Sequence, residues 1–271
     1  MAPQIACSST KANQMLFLFF PPIGENKRMG KIQRYKHDMC LSYALGATLT
    51  FELLKSHPEW VTRVFLSSLI EDSEGILQLK DMCMRHHIEC ETNDKAFHIL
   101  SPKGNCYVIG EFAKNPVPLE QSSHIVLVNP SDAGNLGTII RTAVGFGITN
   151  IAIIKKAVDF YDPKAIRSTM GAAFHVNVEY FDTIEDYCVR FPDNTRYAFM
   201  LTASIPITDV KIKEPFSLIF GNEATGLPDK FSSFCTSVII QHSNDIDSLN
   251  LPMAAGIAMY EFTKNKWRYL V

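Results

Sequence analysis

The chain has 271 residues, of which 46% are hydrophobic and 20% are charged, and its formal net charge is −2. These values are ordinary for a globular protein with one large or two modest domains, and they exclude a chain that is basic throughout. Any contact with a polyanion must therefore come from a local patch. The longest strongly apolar run, residues 15–20, is too short to span a bilayer. Seven cysteines without a paired framework predict reduced thiols and a cytoplasmic location.

The first 28 residues differ from the rest, because they contain no acidic residue before Glu25. We predict a disordered tail over residues 1–28; a targeting segment and a true start at Met29 are the alternatives. Five basic residues then fall within ten positions. Such a run is typical of a solvated segment, but it is also suited to contact the phosphates of a nucleic acid. The members of this basic arm are Lys27, Arg28, Lys31, Arg34 and Lys36.

Alternating helix and strand patterns predict a small α/β domain over residues 29–112. The apolar spacing from Leu41 to Leu53 predicts one amphipathic helix that ends before Pro58. A second helix is expected to begin at Ser73, which is a favourable N-cap residue. The strands expected around these helices span residues 61–66, 88–91 and 105–112. The potential metal ligands of this region have no common zinc spacing, so we predict no metal site there. They are Cys83, His86, His87 and Cys90.

Residues 113–123 contain two prolines and few apolar residues, which predicts a linker. A second domain is expected over residues 124–271. Its strand-like runs are rich in Val, Ile and Phe and alternate with helical patterns, which is typical of a mostly parallel sheet covered on both faces. The predicted strands of this domain span residues 124–128, 151–154, 176–179, 197–201, 217–220 and 238–240.

The first distinctive stretch follows the opening strand of this domain and reads NPSDAGNLGTIIRTAVGFGI. Its turn residues are expected to lead into an amphipathic helix near Asn135. Asn135 and Arg141 are the polar exceptions in an otherwise apolar pattern. They could be an ordinary helix cap and a surface arginine, and this stretch alone leaves that interpretation as open as a functional one.

The second stretch, LIFGNEATGLP, runs from a buried strand into a glycine-bounded loop with one carboxylate, Glu223. Gly221 and Gly226 have the glycine spacing of a phosphate-binding loop, but Leu227 and Pro228 stand where that motif requires Lys and Ser or Thr. No dinucleotide-binding glycine pattern follows any strand either. The loop could be a simple turn, but ligands of open α/β sheets bind at such strand ends.

The third stretch, SLNLPMAAGIAMYE, begins in a polar loop and continues into a helix. Pro252 suits the first helical turn, and the small residues after it allow close packing. A tightly packed C-terminal helix capped by Ser248 or Asn250 is the simplest interpretation, and it leaves room for a site at the loop.

In this order, the three stretches resemble the motifs of the SpoU/TrmH branch of the SPOUT RNA methyltransferases. The resemblance covers residues 124–265, and the N-terminal part is similar to the small substrate-binding domain that often precedes them. It implies a fold with a small N-terminal α/β domain and a C-terminal α/β trefoil-knot domain, an exception to the rule that chains do not thread loops. It also implies S-adenosylmethionine as the cofactor, and a homodimer with the active site at the subunit interface.

The implied reaction transfers a methyl group to the 2′-hydroxyl of an RNA ribose. By the same resemblance, Arg141 contacts the target phosphate and helps to generate the alkoxide, either as a base or by electrostatic stabilisation. Asn135 orients Arg141 or the ribose. Glu223 fixes Asn135 or Arg141 through charge-assisted hydrogen bonds. The polar cluster is completed by Ser248 and Asn250. The residues expected to hold the cofactor, mainly through backbone groups, are Leu201, Thr202, Gly221, Ile240 and Leu249.

The RNA contacts are expected from the basic arm and from Arg167 and Ser168, which we predict to follow a strand-to-helix turn. Ribosomal RNA is a better match than tRNA because a distinct N-terminal domain is present, which is an argument by analogy. Three alternatives remain open: a tRNA ribose methyltransferase, a methyltransferase acting on another RNA atom, and a non-catalytic RNA-binding protein with the same fold. Pro252 and Met253 depart from the residues common in relatives. This departure bears on the expected cofactor contacts and not on the polar cluster.

Overall fold

The computed structural model describes residues 31–101 and 105–266. From Arg34 onward the chain forms one compact unit that contains two sheets. The predicted tail over 1–28, with Lys27 and Arg28 of the basic arm, lies outside the described residues.

The smaller sheet has four strands in the order β1-β4-β2-β3. Strand β4 is antiparallel to both β1 and β2, whereas β3 is parallel to β2. The strands are β1 Leu41–Leu45, β2 Val61–Leu66, β3 Glu89–Thr92 and β4 Val108–Ala113. The helices between them are α1 Ala47–Ser56, α2 Glu74–Arg85 and α3 Asp94–Leu100. The prediction at Ser73 is confirmed, since its side-chain oxygen accepts a hydrogen bond from the Ile76 N–H at 3.4 Å.

The prediction of a single helix from Leu41 to Leu53 is wrong in its first half. Residues Leu41–Leu45 form a strand, and the helix begins only at Ala47. Gly46 separates them with φ of 125°, a backbone conformation that favours glycine. Tyr43 and Ala44 point to opposite faces of the sheet and both are buried, so the strand lacks the alternation that would have identified it.

The larger sheet has seven strands in the order β7-β6-β5-β10-β8-β11-β9, and every neighbouring pair is parallel. Its strands are β5 His124–Val128, β6 Asn150–Ile154, β7 Asn177–Phe181, β8 Thr195–Phe199, β9 Ile205–Pro206, β10 Phe216–Phe220 and β11 Thr236–Ile239. Its helices are α4 Ala133–Gly145, α5 Pro163–Ser168, α6 Ile184–Arg190 and α7 Leu251–Thr263. The predicted α/β fold with a mostly parallel sheet is confirmed; the trefoil knot stays a prediction.

Strand β10 lies at the centre of this sheet and is buried along its whole length. Separate apolar clusters cover the two faces of the sheet, and the cluster that includes α4 and α7 continues into the helices of the smaller sheet. The chain between the sheets is packed rather than free, because Leu119 is buried and its N–H donates to Glu179 at 3.0 Å. The division at residues 113–123 therefore stays a prediction about folding units.

Within the described ranges, no helix is both long enough and apolar enough to cross a membrane.

Candidate active site

A cleft of about 250 Å³ opens at the carboxyl edge of the larger sheet. The ends of β8, β10 and β11 and the first turn of α7 form its walls. In open parallel sheets the strand ends at this edge supply the ligand site, because every connecting loop on that side converges there. The second and third sequence stretches both contribute to the cleft.

Glu223 joins the second stretch to the first. Its Oε2 accepts hydrogen bonds from the Ser131 hydroxyl at 2.8 Å and the Ser131 N–H at 3.2 Å. Its Oε1 accepts from the Asp132 N–H at 3.3 Å and from Asn135 Nδ2 at 3.2 Å. One half-buried carboxylate thus holds the turn before α4 and the first turn of that helix against the loop after β10.

The electrostatics of this cluster favour the ionised carboxylate. Partial burial alone would raise the pKa of Glu223, but hydrogen bonds from its own backbone N–H, from Ser131 and from Asn135 outweigh that effect. The pKa of Glu223 therefore lies below its ordinary value. An ionised acceptor orients an amide more firmly than a neutral one, since charge-assisted hydrogen bonds are stronger.

The helix cap at this point is Asp132, so the alternative interpretation of Asn135 as a cap is wrong. Asp132 Oδ1 accepts from the Asn135 N–H at 2.8 Å, and α4 begins at Ala133. The helix therefore starts two residues before Asn135, where we predicted its beginning, and it includes Gly134 and Gly137. Because Asp132 performs the capping, the Asn135 side chain is available to bond Glu223.

Arg141 lies on an exposed part of α4. It is six residues beyond Asn135, which places it about 9 Å further along the helix axis and about 120° around it. Among residues 31–101 and 105–266, Arg141 has no hydrogen-bond or ion-pair partner. A single chain therefore does not bring Arg141 to the Asn135–Glu223 pair.

The two polar residues of the third stretch behave differently. Ser248 lines the cleft, whereas Asn250 is exposed and is not among the lining residues. Asn250 occupies the N-cap position of α7 but its side chain makes no capping hydrogen bond within the described chain. The predicted side-chain cap at Asn250 is therefore wrong, and Asn250 remains a surface group at the mouth of the cleft.

Four of the five residues expected at the cofactor line the cleft. They are Leu201, Gly221, Ile240 and Leu249. The fifth, Thr202, is exposed beyond it. A Cβ on Gly221 would lie 2.2 Å from the Gly226 carbonyl carbon, so the loop after β10 closes only with glycine at this position. The aromatic walls are Phe199 and Phe220, whose ring centroids are 4.7 Å apart at an interplanar angle of 10°.

Sequence reasoning missed three residues of the site. Ser131 supplies the shortest hydrogen bond to Glu223, and Asn222 Nδ2 donates to the Asn129 carbonyl at 2.8 Å. His242 lines the cleft, with its Nδ1 3.0 Å from the Ile240 carbonyl oxygen. The signal available for His242 was its position three residues after the end of β11, at the same edge of the sheet as Glu223.

Arg167 and Ser168 lie in the helix that follows the predicted turn, but in its last turn and not at its N-terminus, so their contact with phosphate stays a prediction. The Ser168 hydroxyl is within 2.9 Å of the Ala133 carbonyl and 2.8 Å of the Ala165 carbonyl, so it joins α5 to α4. Arg167 is exposed, with Nη1 3.5 Å from Asn105 Oδ1. Of this pair, Arg167 is the side chain without a buried partner, and it is the better suited to contact a phosphate.

The basic arm is described only from residue 31. Lys31, Arg34 and Lys36 are exposed, which suits a phosphate-contacting segment. In the part of the chain that the structure describes, no group of three or more His, Cys, Asp or Glu side chains could hold a metal ion.

The comparisons with known proteins agree with this geometry. The sequence profile of the SpoU rRNA Methylase family matches residues 122–260, so the chain belongs to that family. It is 28% identical over 163 residues to an uncharacterized tRNA/rRNA methyltransferase of Synechocystis, with 58% of each chain covered. It is also 28% identical to the 23S rRNA (uridine(2479)-2'-O)-methyltransferase of Streptomyces viridochromogenes, covering 52% of each. The chain thus spans little more than half the length of these relatives.

Among solved structures, the fold resembles that of an AdoMet-bound rRNA methyltransferase from Sinorhizobium meliloti. The TM-score is 0.71 at 24% sequence identity, and the match covers 83% of this chain and 88% of the other. Because the match extends over both sheets of the compact unit, the similarity includes the smaller sheet as well as the family domain.

Proposed function

We propose that the protein is an RNA methyltransferase that uses S-adenosylmethionine to methylate a ribose 2′-hydroxyl. The observation that carries this proposal is the Glu223–Asn135–Ser131 cluster, which fastens the first family motif to the second beside a cleft formed by the second and third. This arrangement requires all three motifs at one edge of the sheet, and each motif retains its polar residues.

The cleft fits the proposed cofactor. Its walls combine aromatic and aliphatic side chains, which suit an adenine ring, with strand-end backbone groups and a few polar side chains that can fix orientation. Leu201, Gly221, Ile240 and Leu249 would hold the cofactor there, mainly through backbone groups. When bound, the cofactor supplies a methyl group already activated by a positively charged sulfur.

The chain's own residues then have to prepare a poor nucleophile, the ribose hydroxyl. A guanidinium group carries a positive charge and has no acceptor, so Arg141 is better suited to stabilise the negative charge that develops on the oxygen than to remove a proton. Asn135, held by Glu223, would position the ribose or Arg141. Ser248 and Asn250 would complete the polar surface around the substrate, from the loop that precedes α7.

A homodimer supplies what the single chain lacks. Helix α7 exposes an apolar stripe at i, i+4 and i+7: Met253 is 62% exposed, Ile257 39% and Tyr260 57%. Helix α4 packs beside α7, with Gly256 next to Thr142, so Arg141 and the stripe lie on neighbouring helices. A second copy that covers this stripe would bring its own Arg141 towards the Glu223 cluster of the first.

Ribosomal RNA is the proposed substrate class, supported by the family and by the names of several relatives. The exposed part of the basic arm and Arg167 would contact its phosphates. A tRNA ribose methyltransferase is the second candidate, since one relative is described as an uncharacterized tRNA/rRNA methyltransferase.

The test is methyl transfer from radiolabelled S-adenosylmethionine to unmodified total RNA, followed by digestion to nucleosides. Wild type should yield a 2′-O-methyl nucleoside, and Arg141→Ala should yield none while binding the cofactor nearly as wild type does. Arg85→Ala, which removes an exposed arginine of the smaller sheet's α2 helix, is the matched control and should retain activity. A methylated base would contradict the ribose assignment. Cofactor binding without methylation of any RNA would favour the non-catalytic RNA-binding protein.

A further inference from the structure

The loop between β6 and α5, residues 155–162, is fastened to the first sequence motif. The Val158 N–H donates to the Pro130 carbonyl at 2.9 Å, and Pro130 directly precedes Ser131 of the polar cluster. From another side, the Tyr180 hydroxyl of β7 donates to the Val158 carbonyl at 3.0 Å. The loop therefore has a fixed position next to the candidate active site.

The same loop anchors the described end of the basic arm through Asp159. The Asp159 side chain is only 14% exposed, and its Oδ2 accepts a hydrogen bond from the Tyr35 hydroxyl. His37 Nδ1 lies 2.8 Å from the same oxygen. Lys114 Nζ donates to the His37 carbonyl at 2.9 Å and lies 4.7 Å from the centroid of the Tyr35 ring. These four side chains, here called the Asp159 clasp, hold residues 35–37 against the loop.

The clasp places cations at the surface beside the loop. Arg34 and Lys36 flank the anchored Tyr35, and both are exposed. Lys156 is exposed on the loop itself, and because it is three residues from Asp159, their Cα atoms are at most about 11 Å apart. Among the described residues, the side chains of these three cations have no hydrogen-bond or ion-pair partner.

Most acidic groups of this region are already engaged. Asp182 pairs with Lys155 at 2.8 Å, and Asp162 caps α5. Asp159 itself is bonded within the clasp. Asp38 is exposed and offsets part of the positive charge of the arm. In this part of the described chain, three cations without a partner therefore stand against one free carboxylate, which suits a polyanion.

We propose that the Asp159 clasp positions the basic arm so that Arg34, Lys36 and Lys156 form one phosphate-binding surface for the RNA strand that leads into the active site. This inference rests on the proposed function and extends it, because it identifies Asp159 as a positioning residue and Lys156 as a further RNA contact. Two links carry it: the clasp joins the arm to the loop, and the loop bonds Pro130 at the edge of the site. Separated, exposed cations match the repeated phosphates of an RNA backbone.

The experiment measures the dissociation constant of unmodified ribosomal RNA, transcribed in vitro, with the full chain over a series of salt concentrations. Each lost phosphate contact lowers the slope of log Kd against log salt concentration by about 0.7 to 1. Lys36→Ala and Lys156→Ala should each lower the slope by this amount. Asp159→Ala should lower it by about twice as much, because Arg34 and Lys36 lose their position together.

A double-mutant cycle separates positioning from simple stabilisation. In the Asp159→Ala background, Lys36→Ala should lower the slope no further, because the arm no longer contacts the RNA. Methyl transfer by Asp159→Ala should keep the wild-type kcat at saturating RNA while KM for RNA rises. Tyr35→Phe, which removes only the hydroxyl that bonds Asp159, provides the same cycle if Asp159→Ala does not fold.

The matched controls lie at the amino edge of the larger sheet, opposite the cleft. Lys213→Ala and Asp193→Ala each remove one exposed charge there, and both should keep the wild-type slope. A slope that falls equally in these controls would assign the effect to net charge and overturn the proposed surface.

The remaining outcomes distinguish this inference from the proposed function. If Asp159→Ala keeps the wild-type slope, or if its effect adds fully to that of Lys36→Ala, the clasp is only structural and the methyltransferase proposal stands. An unchanged slope in Lys156→Ala would overturn the surface in the same way. RNA binding with the expected slopes but without methyl transfer would leave the surface and overturn the enzyme. If wild type binds no RNA, both proposals fail.

Discussion

At the scale of single residues, the site depends on one carboxylate. Glu223 accepts hydrogen bonds from two backbone N–H groups, one hydroxyl and one amide, all on the segment that starts α4. No neutral side chain of the same shape can accept all of them, because one of its two terminal groups would be a donor. The charge of Glu223, more than its volume, is therefore what holds Asn135 in place.

The variant Glu223→Gln tests this role. The amide would face at least one donor, so Asn135 should lose its fixed orientation, and methyl transfer should fall by about a hundredfold. The affinity for S-adenosylmethionine should change little, because the backbone groups of the cleft remain. Steady-state kinetics and calorimetry together check this expectation, and Glu185→Gln, an exposed carboxylate on α6, is the control. Loss of cofactor binding with unchanged turnover per bound complex would show that Glu223 shapes the cleft instead.

At the scale of elements, the position of α4 is set by close packing against α5. A Cβ on Gly137 would lie 1.9 Å from Ser168 Oγ and 2.7 Å from its Cβ. The Ser168 hydroxyl also bonds the Ala133 carbonyl in the first turn of α4. The two helices can approach this closely only because position 137 has no side chain, and this contact fixes the register of the helix that carries Asn135 and Arg141.

Replacing Gly137 with alanine should force the two helices apart. We expect the free energy of unfolding to fall by about 1–3 kcal/mol, the range typical of overpacked interiors. The same substitution at Gly145, where a Cβ would meet nothing within 4 Å, should be neutral or slightly stabilising because alanine favours helix. Urea unfolding of both variants measures the difference. Equal stabilities for the two would mean that α4 and α5 move apart without cost.

At the scale of the whole molecule, a buried polar network lies at the amino edge of the larger sheet, opposite the cleft. His124 is fully buried, with Nε2 2.8 Å from the Glu120 carbonyl and Nδ1 2.8 Å from the Tyr187 hydroxyl. The Tyr187 hydroxyl lies 2.6 Å from the Ser217 hydroxyl, with which it shares a hydrogen bond. Asn194 Nδ2 donates to the Ser217 hydroxyl at 3.1 Å. The network connects the starts of β5 and β10 to the turn before β8.

The protonation of His124 should make the stability of the fold depend on pH. Burial lowers the pKa of His124 in the folded state, and the charge of Arg190 adds to this. The unfolded state therefore binds more protons as the pH falls below about 6.5, so the free energy of unfolding should decrease there and be constant above it. Urea unfolding at a series of pH values checks this. His124→Gln should be less stable at neutral pH but should show a flatter profile; an identical slope would assign the effect to other groups.

The proposed dimer also belongs to this scale. Ile257→Glu places a charge at the centre of the exposed stripe on α7, so we expect a monomer that has lost methyl transfer. Light scattering after size-exclusion chromatography and the transfer assay measure the two effects. Val189→Glu is the control, since Val189 is 81% exposed on α6, outside the stripe, and it should leave both properties unchanged. A monomeric variant with full activity would contradict a shared active site.

Sequence patterns were most reliable where one segment carries its own signal. The helix start at Ser73 was predicted from its capping residue, and its side chain makes the expected capping contact. The strands of the larger sheet were predicted from short apolar runs, because a parallel sheet covered on both faces leaves no polar alternation. Strand β1 was missed because Tyr43 and Ala44 are both buried and because its pairing partner, β4, lies far along the chain.

The sequence by itself determined the order of the three motifs, the class of fold and four of the five residues expected at the cofactor, because these depend on local pattern and on residue type. Only the tertiary structure showed that Asp132, not Asn135, caps α4, and that Asn135 bonds Glu223. It also showed that the Ser168 hydroxyl bonds a carbonyl of α4, whereas Arg141 has no hydrogen-bond or ion-pair partner among the described residues of its own chain. These distinctions depend on which groups meet across long stretches of sequence, and a hydrogen-bond partner distant along the chain leaves no mark on local spacing.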